Sequence, residues 1–215
     1  KNLVGNRVPV IAGLQASFTS QAVEAAKEMR EAGADALLVF PITAFYGSPL
    51  HSEVPYAYHK AIASETGIQI VLFQLQKDLG GVEYDPECLA RLTEIEEVIA
   101  IKEASFDAMK FLNTLRLLKS LPRKITVLTG NDNFIFESLV LGAEGALIGF
   151  GTLATDLQVE MFELIQEKRY DEAREIADRL QPLADVIFSR PVRNYRARIK
   201  EALVMLGVLN QAYMR

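Results

Sequence analysis

The 215-residue chain has one cysteine, two histidines and no tryptophan. With Cys88 alone there is no internal disulfide, and a reducing, cytoplasmic setting is the expectation. Cys88 lies in the helix-like run Asp85-Pro86-Glu87-Cys88-Leu89-Ala90 and reads as a core or surface thiol rather than a nucleophile. His51 and His59 do not form a zinc-type ligand pattern, so no metal is expected. No apolar stretch approaches the roughly 18 residues that a membrane-spanning helix requires, so no membrane partner is expected. The net charge of −5 leaves no surplus of Lys and Arg with which to neutralise phosphates, which argues against nucleic acid as a partner.

What the chain does have is apolar residues, at 50 %, arranged in a repeating pattern. Short runs rich in Val, Ile and Leu occupy 8–13, 36–41, 68–74, 98–104, 126–130 and 146–150. They are too continuous for half-exposed strands and match strands covered on both faces, as in a parallel sheet under helices. Between them lie amphipathic helical stretches, the first over 21–32 with Thr19 or Ser20 as its cap and Glu24 near its positive end. Ala32-Gly33-Ala34-Asp35-Ala36-Leu37 is echoed by Leu141-Gly142-Ala143-Glu144-Gly145-Ala146-Leu147. Helix, glycine, acid, strand is the rhythm of βα units joined by tight αβ turns.

From about residue 156 the rhythm gives way to helices alone: 157–168, 170–187 with a bend at Pro182, and 192–209. The expected organisation is βα units over 1–155 and a C-terminal helical subdomain over 156–215. Six strands admit two architectures. One is an open doubly wound sheet. The other, preferred, is an α/β (β/α)8 TIM barrel lacking its first two βα units in this chain.

The segment Val98-Ile99-Ala100-Ile101-Lys102-Glu103-Ala104-Ser105 carries the chemistry. Alternation puts Ala100, Lys102 and Ala104 on one face of the strand and Ile99, Ile101 and Glu103 on the other. The isoleucines suit the sheet–helix layer, so Lys102 points into the barrel with small neighbours. A lysine in an apolar run needs a reason. Desolvation drives an amine toward its neutral, nucleophilic form, which attacks a ketone or aldehyde to give an iminium. A structural lysine paired to a carboxylate is the alternative. A place at the C-terminal end of a barrel strand favours catalysis.

Beyond that segment, an ordered series of motifs spans nearly the whole chain. It comprises Val8-Pro9-Val10-Ile11-Ala12-Gly13, Glu31-Ala32-Gly33-Ala34-Asp35-Ala36, Ile101-Lys102-Glu103-Ala104-Ser105, Leu128-Thr129-Gly130-Asn131-Asp132 and Leu141-Gly142-Ala143-Glu144-Gly145. Together they resemble the dihydrodipicolinate synthase / N-acetylneuraminate lyase family of pyruvate-handling class I aldolases, and Arg196-Ala197-Arg198-Ile199-Lys200-Glu201-Ala202-Leu203 resembles its last helices. The resemblance implies an eight-stranded barrel with a C-terminal helical extension, a homo-oligomer (dimer or tetramer) and no cofactor beyond the covalent Schiff base. It maps Lys102 onto the Schiff-base lysine and backbone near Leu147 onto the pyruvyl pocket, and it implies that the family begins two βα units earlier.

This chain also departs from the pattern. Phe73, in Leu72-Phe73-Gln74-Leu75-Gln76, stands where the family has its proton-relay tyrosine, and a benzyl ring has no proton to transfer. Asp78 aligns with the arginine that binds the synthases' second carboxylate, and an acid there repels such a substrate. Tyr46 approximates the tyrosine contributed across the synthases' interface only with a shift in register. The carboxylate-binding threonine loop of the family would precede this chain.

Other candidates come from position. Gly149, in Gly149-Phe150-Gly151, offers backbone N–H groups to a carboxylate or makes a turn. Asn131 and Asp132 end a strand at the catalytic face, where substrate contact and helix capping both fit. Thr129 and Ser105 sit similarly. Arg193, Arg196 and Lys200 share a helical face and read as a solvated or subunit-contacting surface. The expectation is a Schiff-base lyase, aldolase or dehydratase, acting on pyruvate or a 2-keto-3-deoxy acid, and not a true dihydrodipicolinate synthase. The alternative is a non-catalytic member that binds a 2-oxo acid as sensor or scaffold.

Overall fold

The computed structural model describes residues 1–47 and 50–213. The chain forms two compact units, residues 1–105 with 109–127, and residues 106–108 with 128–215. The first unit contains four strands, β1 (Ile11–Leu14), β2 (Ala36–Val39), β3 (Gln69–Leu75) and β4 (Val98–Ala104). All three of its pairings, β1 with β2, β2 with β3 and β3 with β4, are parallel. Helices α1 (Thr19–Glu31), α2 (Glu53–Thr66) and α3 (Pro86–Leu92) connect successive strands, and α4 (Ala108–Ser120) follows β4. The βα rhythm of the sequence is therefore present.

Parallel strands covered by helices bury both faces, which is why β2 reads as four consecutive buried apolar residues. The core beneath the helices includes Leu37, Ile62, Leu72, Leu89, Leu92, Ile95 and Ile101, all essentially inaccessible. Each such side chain contributes about 1.5–3 kcal/mol by leaving water. The expected strand 98–104 is matched residue for residue. Its entry is fixed by Arg123, whose guanidinium donates to the carbonyls of Thr93, Ile95, Glu96 and Val98 at 2.7–2.9 Å. Left-handed glycines end α2 (Gly67, φ 61°) and the helix Ile135–Leu141 (Gly142, φ 114°), and a Cβ would strain both.

The start of α1 differs from expectation. Phe18 is its N-cap, no side chain caps it, and its first turn has no acid, so neither Thr19, Ser20 nor Glu24 plays the part assigned. The amide of Gln21 reaches back instead, its Oε1 accepting from the Ser17 N–H at 2.8 Å.

β5 (Thr126–Thr129) straddles the two units, and the second unit contains α5 (Ile135–Leu141) and β6 (Gly145–Ala146). Leu128 and Thr129 pair in parallel with Gly145 and Ala146. The strand expected over 146–150 is thus only a stub. It stops because Phe150–Thr152 turns into a 3-10 helix, with the Phe150 N–H donated to Asp132 rather than to a ladder. The helices α6 (Thr155–Gln166), α7 (Tyr170–Ile187) and α8 (Tyr195–Met205) follow. α7 runs unbroken through Pro182. α8 is shorter than the expected 192–209, because Val192–Asn194 forms a separate 3-10 turn. Arg198 caps the C-terminus of α7, donating to the carbonyls of Ile187 and Ser189. The last two residues of the expected subdomain, 214–215, lie outside the described residues.

Candidate active site

Strand register decides what surrounds Lys102. Phe73 of β3 is its direct cross-strand partner. Side chains paired across a parallel ladder share a face, and the ammonium nitrogen of Lys102 lies 4.5 Å from the centre of the Phe73 ring. That distance is within cation–π range. The opposite face is identified by Gln74 and Glu103, the next pair along. The Gln74 amide donates to Glu103 at 3.0 Å and to Thr114 of α4 at 3.4 Å, while its carbonyl accepts from the Tyr84 N–H at 3.0 Å. Those residues form a buried polar seam between sheet and helix, with Glu103 at 0 % exposure and further tied to the Ser105 N–H. Lys102 and Phe73 therefore face away from the helices, as alternation predicts, and Glu103 has no access to the lysine's face.

Register also extends the lysine's face across the first unit. Gly13, Leu38, Val71 and Ala100 lie on one level of it, each the Cα partner of the next. One level further along come Phe40, just past β2, then Phe73 and Lys102. Phe40 and Phe73 meet edge to face, with centroids 4.9 Å apart and planes at 86°. Phe40 is the residue that sequence reasoning missed, although the expected strand 36–41 contains it and its parity with Leu38 was readable. Lys102 itself is half-buried, more accessible than its apolar neighbours Ala100 and Ala104.

The second unit holds the other candidates together around one turn. Thr129 and Asn131 are both at 0 % exposure. The Thr129 hydroxyl accepts from the Asn131 N–H at 3.2 Å and from its side-chain amide at 3.3 Å. Asn131 Oδ1 in turn accepts from the Phe106 N–H at 2.7 Å, and the Asn133 amide donates to the Phe106 carbonyl. Phe106 is held at φ 59°, a left-handed conformation that costs a residue with a Cβ about 1–2 kcal/mol. The side chain of Asn131 is thereby committed to shaping the turn that follows the lysine strand.

Gly149 and its neighbour are committed in the same way. Their N–H groups point at the Asp132 carboxylate, Phe150 at 2.8 Å and Gly149 at 3.4 Å. An anion already bound within the chain fills the nest that sequence reading offered to a substrate. Gly149 is required by close approach: a Cβ there would stand 2.8 Å from Cε2 of Tyr195. Leu147 continues the ladder, its N–H donated to the Thr129 carbonyl at 2.8 Å, and its side chain is half-buried.

The remaining sequence candidates have local placements of their own. Asp78 is exposed on a 3-10 turn, Lys77–Leu79. The Tyr46 hydroxyl donates to the Gly80 carbonyl, which ties the loop after β2 to the loop after β3. Cys88 is buried in α3, and burial pushes its thiol up to about 12, far from a reactive thiolate. His59 is buried in α2, and desolvation pulls it down to about 4. His51 is exposed. Lys200 is bound to the Tyr213 carbonyl, and Arg193 lies in the 3-10 turn before α8, so the expected basic face is divided. Among the described residues no group of three or more His, Cys, Asp or Glu side chains is placed to hold a metal ion. No described helix is long and apolar enough to cross a membrane.

Comparison with known proteins places this geometry. The Dihydrodipicolinate synthetase family pattern matches residues 1–215. The chain is 33 % identical over 205 residues to the 4-hydroxy-tetrahydrodipicolinate synthase of Archaeoglobus fulgidus, covering 94 % of this chain and 67 % of that protein. It is 30 % identical over 211 residues to that of Thermodesulfovibrio yellowstonii, covering 98 % and 69 % respectively. Among solved structures, dihydrodipicolinate synthase from Thermotoga maritima superposes with a TM-score of 0.86 at 26 % identity, covering all of this chain and 70 % of that one. The chain thus spans about two thirds of the length of the relatives it matches. It belongs to the dihydrodipicolinate synthetase family and is an enzyme of that family's carbon–carbon lyase class.

Proposed function

We propose that Lys102 is the nucleophile of a class I aldolase-type lyase, which condenses with a small 2-oxo acid, pyruvate or a 2-keto-3-deoxy acid. Carbon–carbon cleavage or condensation, or dehydration, then runs through the enamine. The observation that carries this reading is the position of Lys102, half-accessible on an otherwise apolar face with small neighbours on either side along its strand. An amine so placed reaches a carbonyl, and its positive iminium is favoured by the ring face of Phe73. The covalent adduct is the electron sink, so neither metal nor organic cofactor is required.

In this reading residues 1–155 supply βα units three to eight of a (β/α)8 barrel and 156–215 its C-terminal helical subdomain, and the protein works as a homo-oligomer. The family resemblance assigns backbone near Leu147 to the pyruvyl pocket, and Gly149 contributes by holding its turn through Asp132 rather than by offering its N–H. Thr129 and Asn131 act by holding the turn at Phe106. The reaction is not that of a true dihydrodipicolinate synthase, although the relatives carry that name. Phe73 has no proton to relay, and Asp78 offers no cation to a second carboxylate. Phe73 also favours a second reading, a family member that captures a 2-oxo acid without turnover.

Incubation of the full-length protein with pyruvate and borohydride, followed by intact mass, tests the proposal. A reduced pyruvyl adduct is expected, and it should vanish in Lys102→Ala. No adduct with any 2-oxo acid, or an adduct that survives the substitution, contradicts it. An adduct without turnover across a panel of aldehydes and deoxy-keto acids selects the binder.

A further inference from the structure

The face that the first unit presents around Lys102 is apolar and aromatic. Around Lys102 the same face presents Phe73 and Leu75 on β3, Phe40 past β2, and Ala100 and Ala104 on β4. The polar residue of β3, Gln74, is turned to the helix side, where three partners use its amide. By parity the exposed Gln15, one residue past β1, is the amide that joins this face among the described residues. The edge-to-face contact of Phe40 on Phe73 fixes both rings, so the wall is pre-formed.

From this we infer that the carbonyl partner of the 2-oxo acid is an apolar aldehyde carrying an aromatic or branched alkyl group, neither polyhydroxylated nor carboxylate-tailed. The inference rests on the Schiff-base reading above and gives it a substrate class. Hydroxyls of a sugar-like aldehyde lying against Phe40, Phe73, Leu75, Ala100 and Ala104 would leave water for side chains that offer no donor or acceptor, and each unmet hydrogen bond weighs against it. A phenyl group gains by the same transfer and meets Phe40 and Phe73 in favourable ring geometry. The step balances within the substrates. The pyruvyl iminium loses a C3 proton to become the enamine, whose carbon attacks the aldehyde carbon and forms one C–C bond. The aldehyde oxygen takes up a proton, and water hydrolyses the iminium to release a 4-hydroxy-2-oxo acid and free Lys102.

The test uses full-length protein with pyruvate and, in turn, benzaldehyde, glyceraldehyde and glyoxylate, with product formation followed by mass spectrometry. Borohydride trapping with pyruvate alone runs in parallel. The expected result is a trapped adduct together with a kcat/KM for benzaldehyde at least about tenfold above those of the other two, in line with the discrimination an apolar pocket provides. Phe40→Ser should lower the benzaldehyde value toward the glyceraldehyde one. If the adduct forms but glyceraldehyde or glyoxylate matches benzaldehyde, or no aldehyde reacts, the substrate class is overturned while the Schiff-base reading stands. If pyruvate gives no adduct, the Schiff-base reading fails and the inference falls with it.

Discussion

Lowering the pH from 7 to 4.5 should destabilise the first unit, and replacing His59 by a side chain that does not titrate should abolish most of that sensitivity. His59 is completely buried in α2, stacked on Phe45 and edge-on to Tyr58. Its Nδ1 lies 2.7 Å from the Pro55 carbonyl, so the neutral ring carries its proton there and donates it. Among the described residues Nε2 has no hydrogen-bond partner, and a second proton there would be buried with no acceptor from them. Desolvation accordingly pulls the imidazole from 6.5 to about 4. The unfolded chain then binds a proton that the folded chain refuses. The associated stability is complete above about pH 6.5 and is lost as pH falls toward 4, a total of about 3 kcal/mol. Urea unfolding of the wild type and of His59→Gln at pH 7, 6, 5 and 4.5 reads the difference directly. Carboxylates such as Asp35 and Glu172, which their Lys1 and Arg169 partners hold below the usual range, titrate alike in both proteins and drop out. Equal pH slopes for the two proteins would refute the argument, whatever their absolute stabilities.

Three further outcomes follow from the same geometry. Phe73→Tyr places a phenol beside Lys102 and should raise deuterium exchange of the pyruvate methyl group, followed by NMR, by about 100-fold, the lower end of what an acid–base group supplies. Unchanged or slower exchange would mean that proton relay is not what Phe73 withholds. Gly149→Ala drives a Cβ to 2.8 Å from Tyr195 and should cost about 1–3 kcal/mol in chemical denaturation, with most of the loss recovered when Tyr195→Ala is added; no recovery would place the strain elsewhere. At Phe106, φ 59° predicts that Phe106→Gly is about 1 kcal/mol more stable than Phe106→Ala, and the opposite order would show that the turn is unstrained.

How much of this was legible in the sequence depends on the range of the interaction. The lysine strand and the faces of Lys102 and Glu103 follow from alternation alone, because a two-residue period is local and β4 is regular. The βα rhythm was likewise readable, since Gly33, Gly67 and Gly142 mark the turns after α1, α2 and α5. The last strand was not. Its truncation comes from Asp132 capturing the Phe150 N–H from 18 residues upstream, and the sequence around 146–150 carries no trace of that partner. The same capture removes the Gly149 N–H from the pool of anion donors. Asn131 and Phe106 illustrate the point again: nothing in Ser105-Phe106-Asp107 announces a left-handed residue, because the carboxamide that stabilises it lies 25 positions away. The candidate site was thus readable along each strand and opaque wherever a loop borrowed its partner from elsewhere.

The central claim is that the Lys102 amine becomes covalently bonded to a 2-oxo acid. Peptide mapping of the borohydride-reduced, pyruvate-treated full-length protein tests it most directly. The account predicts one modified peptide, with the added mass on Lys102 and up to one adduct per chain. Modification elsewhere with Lys102 unmodified, or no modification at saturating pyruvate, would contradict it.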